Sequence, residues 1–218
     1  MKLLLTSGGL MNDSIVGALK ELAGRPFEEL NLAFIPTAAS IEEGNKDWLI
    51  ADLEDCKKLG FAAVDIVDIS ALPREVWQKR LEEADVFFVE GGNTFHLMHW
   101  FRASGLQELL PELLKTRIYI GVSAGSIITT PSLMFANSEK EAAEEIDGVI
   151  PDDSLALVNF FVEPHINSLY FPELTFDYVR EYSKKTTLPI YALDDQSAIM
   201  VIDGVATVIS EGMWEKFN

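Results

Sequence analysis

A serine becomes a nucleophile when a base takes its proton, and an acid beside the base steadies the charge that results. One serine in this chain sits where that chemistry would need it. Gly121-Val122-Ser123-Ala124-Gly125 fits G-x-S-x-G, the pattern of a nucleophile elbow. It follows the apolar run "RIYI" and opens into the apolar "IITT", so it falls at a strand-to-helix corner. At such a corner the nucleophile occupies strained backbone, and its flanking residues must be small. A helix starting just beyond would add a positive dipole end and free N–H groups. The same pattern also suits a purely structural turn, in which small residues let a strand meet a helix closely.

The chain has 3 histidines from which a base can come. His96 and His99 lie three apart in "TFHLMHW" and read as ordinary helix positions. They lack H-x-x-x-H spacing and a carboxylate cluster, so no metal site is expected. His165 follows "NFFVEP", where a proline ends a candidate strand at a sheet edge, and it is the candidate base. For the orienting acid, "YALDDQSA" places Asp194 and Asp195 just past another strand. Asp195 is preferred narrowly, and the acidic run Glu139 to Asp147 is the rival, although such a run also suits a solvated helix face. The order Ser, His, acid differs from the Ser, acid, His order of α/β-hydrolases. Unless the acid lies in that run, a different fold has reached the same chemistry.

"VFFVEGGNTFHL" (86–97) reads as a strand, a Gly-Gly turn and a helix start. Its N–H groups could cradle a phosphate, form an oxyanion hole, or merely make a tight turn. Neither G-x-x-x-x-G-K-[ST] nor G-x-G-x-x-G is present. Beside an acyl-transfer serine, an oxyanion hole built from the Gly92 and Ala124 N–H groups is the more economical reading. "TSGGLMND" is another Gly-Gly turn after a strand. It is expected to line the same edge and is assigned no chemistry.

The elements that must position these residues alternate. Candidate strands lie at 2–7, 31–37, 62–69, 85–91 and 117–123, with helical spacing from Ile41 to Leu59, Pro73 to Glu83 and Phe95 to Leu114. Continuous apolar strands in β-α-β order predict a mostly parallel sheet covered by helices on both faces. After Ser154 strands dominate, and "VIDGVATV" reads as a hairpin turning at Asp203-Gly204. The C-terminal part is therefore expected to extend the sheet and end in antiparallel strands. Ligands bind at the C-terminal ends of parallel strands, where "EGGNTF", "GVSAGS" and "EPHINS" would meet.

With 218 residues, 48% of them hydrophobic, the chain suits a single α/β domain over residues 1–218. A net charge of −18 with 17 scattered basic residues argues against nucleic acid as a partner. One cysteine, Cys56, cannot form an internal disulfide and fits a reducing compartment. No signal peptide or stretch of about 20 apolar residues is found, so a cytoplasmic protein without a membrane span is expected. The 4 Trp and 13 Phe could support a homo-oligomer interface, although scattered aromatics usually belong to cores.

Taken together, "EGGNTFHL", "GVSAGS", "VEPHINS" and "ALDDQSA" resemble the peptidase family of aspartyl dipeptidase (peptidase E) and cyanophycinase, over most of the chain. The resemblance implies a class I glutamine amidotransferase-like fold and a serine peptidase acting on short peptides without metal or cofactor. It implies Ser123 as nucleophile, His165 as base, and Gly92 and Ala124 as oxyanion donors. A glutamate in relatives falls on Asp195, one methylene shorter. The aspartyl-specific branch resembles a site where arginines about a dozen residues beyond the histidine clamp a carboxylate. Here Tyr178 and Val179 hold about those places, with Arg180 adjacent, so aspartyl specificity does not carry over. Two other readings stand beside the peptidase: a non-catalytic amidotransferase-like binding domain, and an amide hydrolase passing ammonia to a partner. The second is weakened by the missing elbow cysteine.

Overall fold

Leu3, Leu4 and Leu5 are wholly buried because the strand that carries them lies inside a sheet covered on both faces. The computed structural model describes residues 1–136 and 153–218. In it β1 (Lys2–Thr6), β2 (Asn31–Ile35), β3 (Ala63–Ile66), β4 (Val86–Val89) and β5 (Ile118–Val122) pair in parallel. β8 (Ser197–Ile202) adds to β1 antiparallel and β9 (Val205–Ser210) adds to β8, giving the order β3-β2-β4-β5-β1-β8-β9. The expected Asp203-Gly204 hairpin joins these last two strands.

Strand geometry sends alternate side chains to opposite faces. Leu3 and Leu5 of β1, with Phe87 and Val89 of β4, belong to one core, packed with residues of α3 (Arg74–Glu83), α4 (Thr94–Ala103) and α5 (Leu106–Leu113). Leu4, Val86 and Phe88 belong to the other, with Ile15, Leu19 and Leu22 of α1 (Asp13–Ala23) and Cys56 of α2 (Asp47–Lys58). Burying one such leucine is worth about 2 kcal/mol. α1 begins at Asn12, whose side chain accepts from the Ile15 N–H at 3.0 Å. The helical stretch from Phe95 to Leu114 is two helices, because Gly105 takes a left-handed φ of 80° between them.

One expectation is corrected. The candidate strand in "NFFVEP" is β6 (Phe161–Glu163), and it does not extend the main sheet. It pairs in parallel with β7 (Ile190–Leu193), which pairs antiparallel with β10 (Trp214–Phe217), in a separate sheet of order β10-β7-β6. β8 occupies the side of β1 that β6 or β7 would have used. The second sheet has its own core, where Phe161, Ile190 and Phe217 pack with Val179 and Tyr182 of α7 (Phe176–Ser183). Among the described residues no helix is long and apolar enough to cross a membrane.

Candidate active site

Ser123 follows β5 with φ 47° and ψ −107°, a conformation an L-residue adopts only under constraint. Strain of this kind costs about 1–3 kcal/mol and persists where the surroundings enforce it. A side chain at Gly121 would come within 2.6 Å of the Gly125 carbonyl oxygen, and one at Gly125 would overlap the Val89 carbonyl. Both glycines of the motif are therefore sterically required. The Ser126 hydroxyl ties the corner down, within 2.8 Å of the Thr6 carbonyl oxygen and 2.9 Å of the Gly121 one, while the Tyr119 hydroxyl donates to the Gly125 carbonyl at 2.6 Å. The helix beyond, α6 (Ala124–Ile127), is one turn long. Its dipole is correspondingly small, contrary to the sequence expectation, and what it offers is individual N–H groups.

The turn after β4 abuts this corner. A side chain at Gly91 would sit 3.3 Å from the Ser123 Cβ. Gly92 has φ 124°, and any Cβ there would overlap the Ala38 carbonyl. Asn93 then starts α4 by accepting the His96 N–H on its side chain at 2.9 Å. Among the described residues, the N–H groups of Gly92 and Ala124 donate to no carbonyl or side chain.

His165 stands just past β6 with φ 61°, another non-glycine residue in the left-handed region. Its Nδ1 lies 2.6 Å from Asp195 Oδ1 and its ring stacks on Phe171, centroids 4.8 Å apart. An ionised carboxylate can only accept, so the neutral ring carries its proton on Nδ1 and leaves Nε2 as a base. Burial pushes the Asp195 carboxyl up, but hydrogen bonds and charge from His165, with hydroxyls of Ser7 and Ser168, bring it below the usual carboxylate range. Asp194 has a different task. It accepts from Gln196 N–H at 3.1 Å, Ser197 hydroxyl at 2.6 Å and Met213 N–H at 2.5 Å, which shapes the turn into β8. The rival acids, Glu139 to Asp147, lie outside the described residues.

Ser123 and His165 line one cavity, walled by Phe135, Phe171, Glu163 and Tyr178. Among the described residues no hydrogen bond joins the two, as is common before a substrate draws such pairs together. Arg180 is engaged elsewhere, with Asp177 and with Glu215 at 3.2 Å, and it lies over the Phe217 ring. His96 and His99 stay on α4, where burial lowers the His96 pKa. Among the described residues no group of His, Cys, Asp and Glu could hold a metal ion.

The family model of peptidase family S51 matches residues 3–209. This chain belongs to peptidase family S51. S51 is a serine peptidase family, and the chain is a peptidase hydrolase of that type. A Listeria innocua protein named uncharacterized peptidase Lin0382 is 31% identical over 183 residues, covering 83% of this chain and 85% of that one. A Streptomyces coelicolor peptidase E is 32% identical over 130 residues, covering 56% and 51%. A Listeria monocytogenes EGD-e crystal structure bearing the peptidase E name superposes with a TM-score of 0.82 at 27% identity, covering 97% of this chain and 98% of that one.

One residue of this S51 site escaped the sequence. Ser7, in the turn given no chemistry, donates to Asp195 Oδ1 at 2.9 Å and accepts the His165 backbone N–H at 2.8 Å. It holds Asp195 and His165 together from the end of β1. Gly8 beside it is bare because a Cβ there would come 3.0 Å from the Asp195 Cβ. The only sequence signal was the Thr-Ser-Gly-Gly turn at a central strand's C-terminal end, where ligand sites gather.

Proposed function

We propose that this S51 peptidase, a single domain over residues 1–218 acting in the cytoplasm, hydrolyses short peptides through Ser123, His165 and Asp195. Ser123 Oγ attacks the scissile carbonyl carbon while His165 Nε2 takes its proton. The carbonyl oxygen becomes an oxyanion that the N–H groups of Gly92 and Ala124 receive. His165 then returns the proton to the departing amine, leaving an acyl group on Ser123. Water, deprotonated by the same Nε2, releases the acid product and regenerates the hydroxyl. The observation that carries this reading is the 2.6 Å contact of His165 with Asp195 at the cavity that strained Ser123 also lines. The shorter acid reaches the ring directly, so the aspartate serves where relatives place a glutamate.

Arg180, held by Asp177 and Glu215, supplies no carboxylate clamp, and the dipeptidase chemistry is assigned without aspartyl preference. The test is a dipeptide and isoaspartyl-peptide panel run beside fluorophosphonate labelling, on wild type and Ser123→Ala. Hydrolysis and labelling by the wild type alone support the assignment. Equal labelling of Ser123→Ala, or no hydrolysis of any peptide, overturns it.

A further inference from the structure

Behind the catalytic corner two carboxyl groups meet without a cation. Glu90, the residue between β4 and the Gly91-Gly92 turn, is wholly buried, and its Oε1 accepts the Gly91 N–H at 2.8 Å. No N–H or hydroxyl among the described residues reaches its Oε2. The side chain set against Glu90 is that of Asp52 on α2, itself 8% exposed. Asp52 lies under the β1–α1 turn, where a Cβ at Gly9 would come within 2.5 Å of Asp52 Oδ1. Two carboxylates in contact cannot both be ionised at low cost, and the stable arrangement is one proton shared as an O–H···O bond. The other titratable groups facing the pair are Asp55 and the Cys56 thiol, both on α2. Asp55 adds negative charge, and burial first, with the charge of these carboxyl groups behind it, pushes the thiol up, so Cys56 stays neutral.

We infer that Asp52 and Glu90 form a shared-proton pair that positions the Gly91-Gly92 turn beside Ser123, so that losing the proton slackens the oxyanion donors and slows the reaction. The chain of contacts is short. The proton fixes Glu90, Glu90 Oε1 fixes the Gly91 N–H, and Gly91 packs against Ser123. A second negative charge would drive the carboxylates apart and pull Oε1 from that N–H. Burial raises both groups, Asp52 to about 7 and Glu90 well above the ordinary carboxylate range, so the pair comes to share a single proton as Asp52 ionises and loses it only where Glu90 does, on the alkaline side. Asp52 and Glu90 touch no substrate; they are positioning residues. The inference rests on the peptidase reading above.

The experiment is the pH profile of kcat and KM for wild type, Asp52→Asn and Glu90→Gln, taken with infrared spectra of the wild type across the same range. An amide at position 52 donates to Glu90 at every pH. The wild type is expected to lose kcat on the alkaline side, on the order of tenfold with KM little moved, since a whole oxyanion donor is worth 10²–10³. In Asp52→Asn that alkaline loss disappears. The infrared spectrum should show a buried carboxylic acid band that vanishes over the same pH range as the wild-type kcat falls. An alkaline limb identical in wild type and both variants overturns the inference, and so does the absence of a protonated carboxyl band, which needs no variant to fold. A wild type that hydrolyses nothing refutes the peptidase reading and with it the positioning role, while the infrared band still judges the shared proton separately.

Discussion

The Ser7 hydroxyl donates to Asp195 Oδ1 at 2.9 Å, across a sequence gap of 188 residues. The same oxygen accepts the His165 N–H, so one side chain at the end of β1 fixes the Asp195 carboxylate and the His165 backbone. β1 is central, flanked by β5 and β8, so its end is held by hydrogen-bonded strands on both sides.

Replacing Ser7 by alanine is expected to lower kcat about tenfold with KM nearly unchanged, since general-base catalysis by a positioned side chain contributes 10²–10⁴ and only its alignment is lost. Ser7→Thr should restore most of the rate, because it keeps the hydroxyl. Steady-state kinetics of the two variants decide the matter. Equal losses in both would show that Ser7 matters for packing alone.

The two adjacent aspartates separate cleanly. Asp195→Asn should cut kcat by about 10⁴, because the amide no longer enforces the Nδ1–H tautomer. Asp194→Asn should instead lower the melting temperature, since it loosens three hydrogen bonds of the turn into β8. Linkage adds a second readout. The folded pKa of Asp195 is lowered, so its contribution is present above the unfolded carboxyl value near 4 and is lost as pH falls through the folded one. Acid denaturation of Asp195→Asn should therefore be less steep than that of the wild type. Matching acid limbs would contradict this.

Strain at Ser123 predicts a trade of activity for stability. With φ 47°, the position suits glycine, and Ser123→Gly should raise stability by about 1 kcal/mol while abolishing turnover. For a chain of this length that is about 2–4 °C in melting temperature. A Ser123→Gly protein that melts below the wild type would mean the surroundings do not hold the serine against its preference.

The elbow was legible because its two glycines and its strand-to-helix setting are local, and local sterics explain each of them. His165 and Asp195 were legible as polar residues just past apolar strands. Ser7 was not, since its partners lie 158 and 188 residues away and a serine in a turn has many uses. The second sheet was missed because β6 and β7 are as apolar as main-sheet strands, and pattern alone does not say which neighbour a strand takes. Asp52 carried no signal, being one acid among several on a helix that reads as amphipathic. Its carboxylate fills the space that a Cβ at Gly9 would take, a fit with a different element that the helix pattern does not show.

Asp52 and Glu90 should also shape stability against pH, independently of turnover. Their folded pKa values are raised above the unfolded ones, so the folded protein keeps a proton that the unfolded chain has released above about pH 4. The stabilising contribution is complete below the unfolded value and is lost as pH rises through the folded one, about 7 for Asp52. A tenfold difference in proton affinity between the folded and unfolded chains is worth about 1.4 kcal/mol, so the melting temperature of the wild type should fall by several degrees as the pair ionises. The chain's net charge of −18 also favours unfolding as pH rises, which makes the comparison with Asp52→Asn the decisive one. The variant has no second carboxyl to ionise and should show a shallower decline. Parallel melting curves from about pH 5 to 9 would place the proton outside this pair.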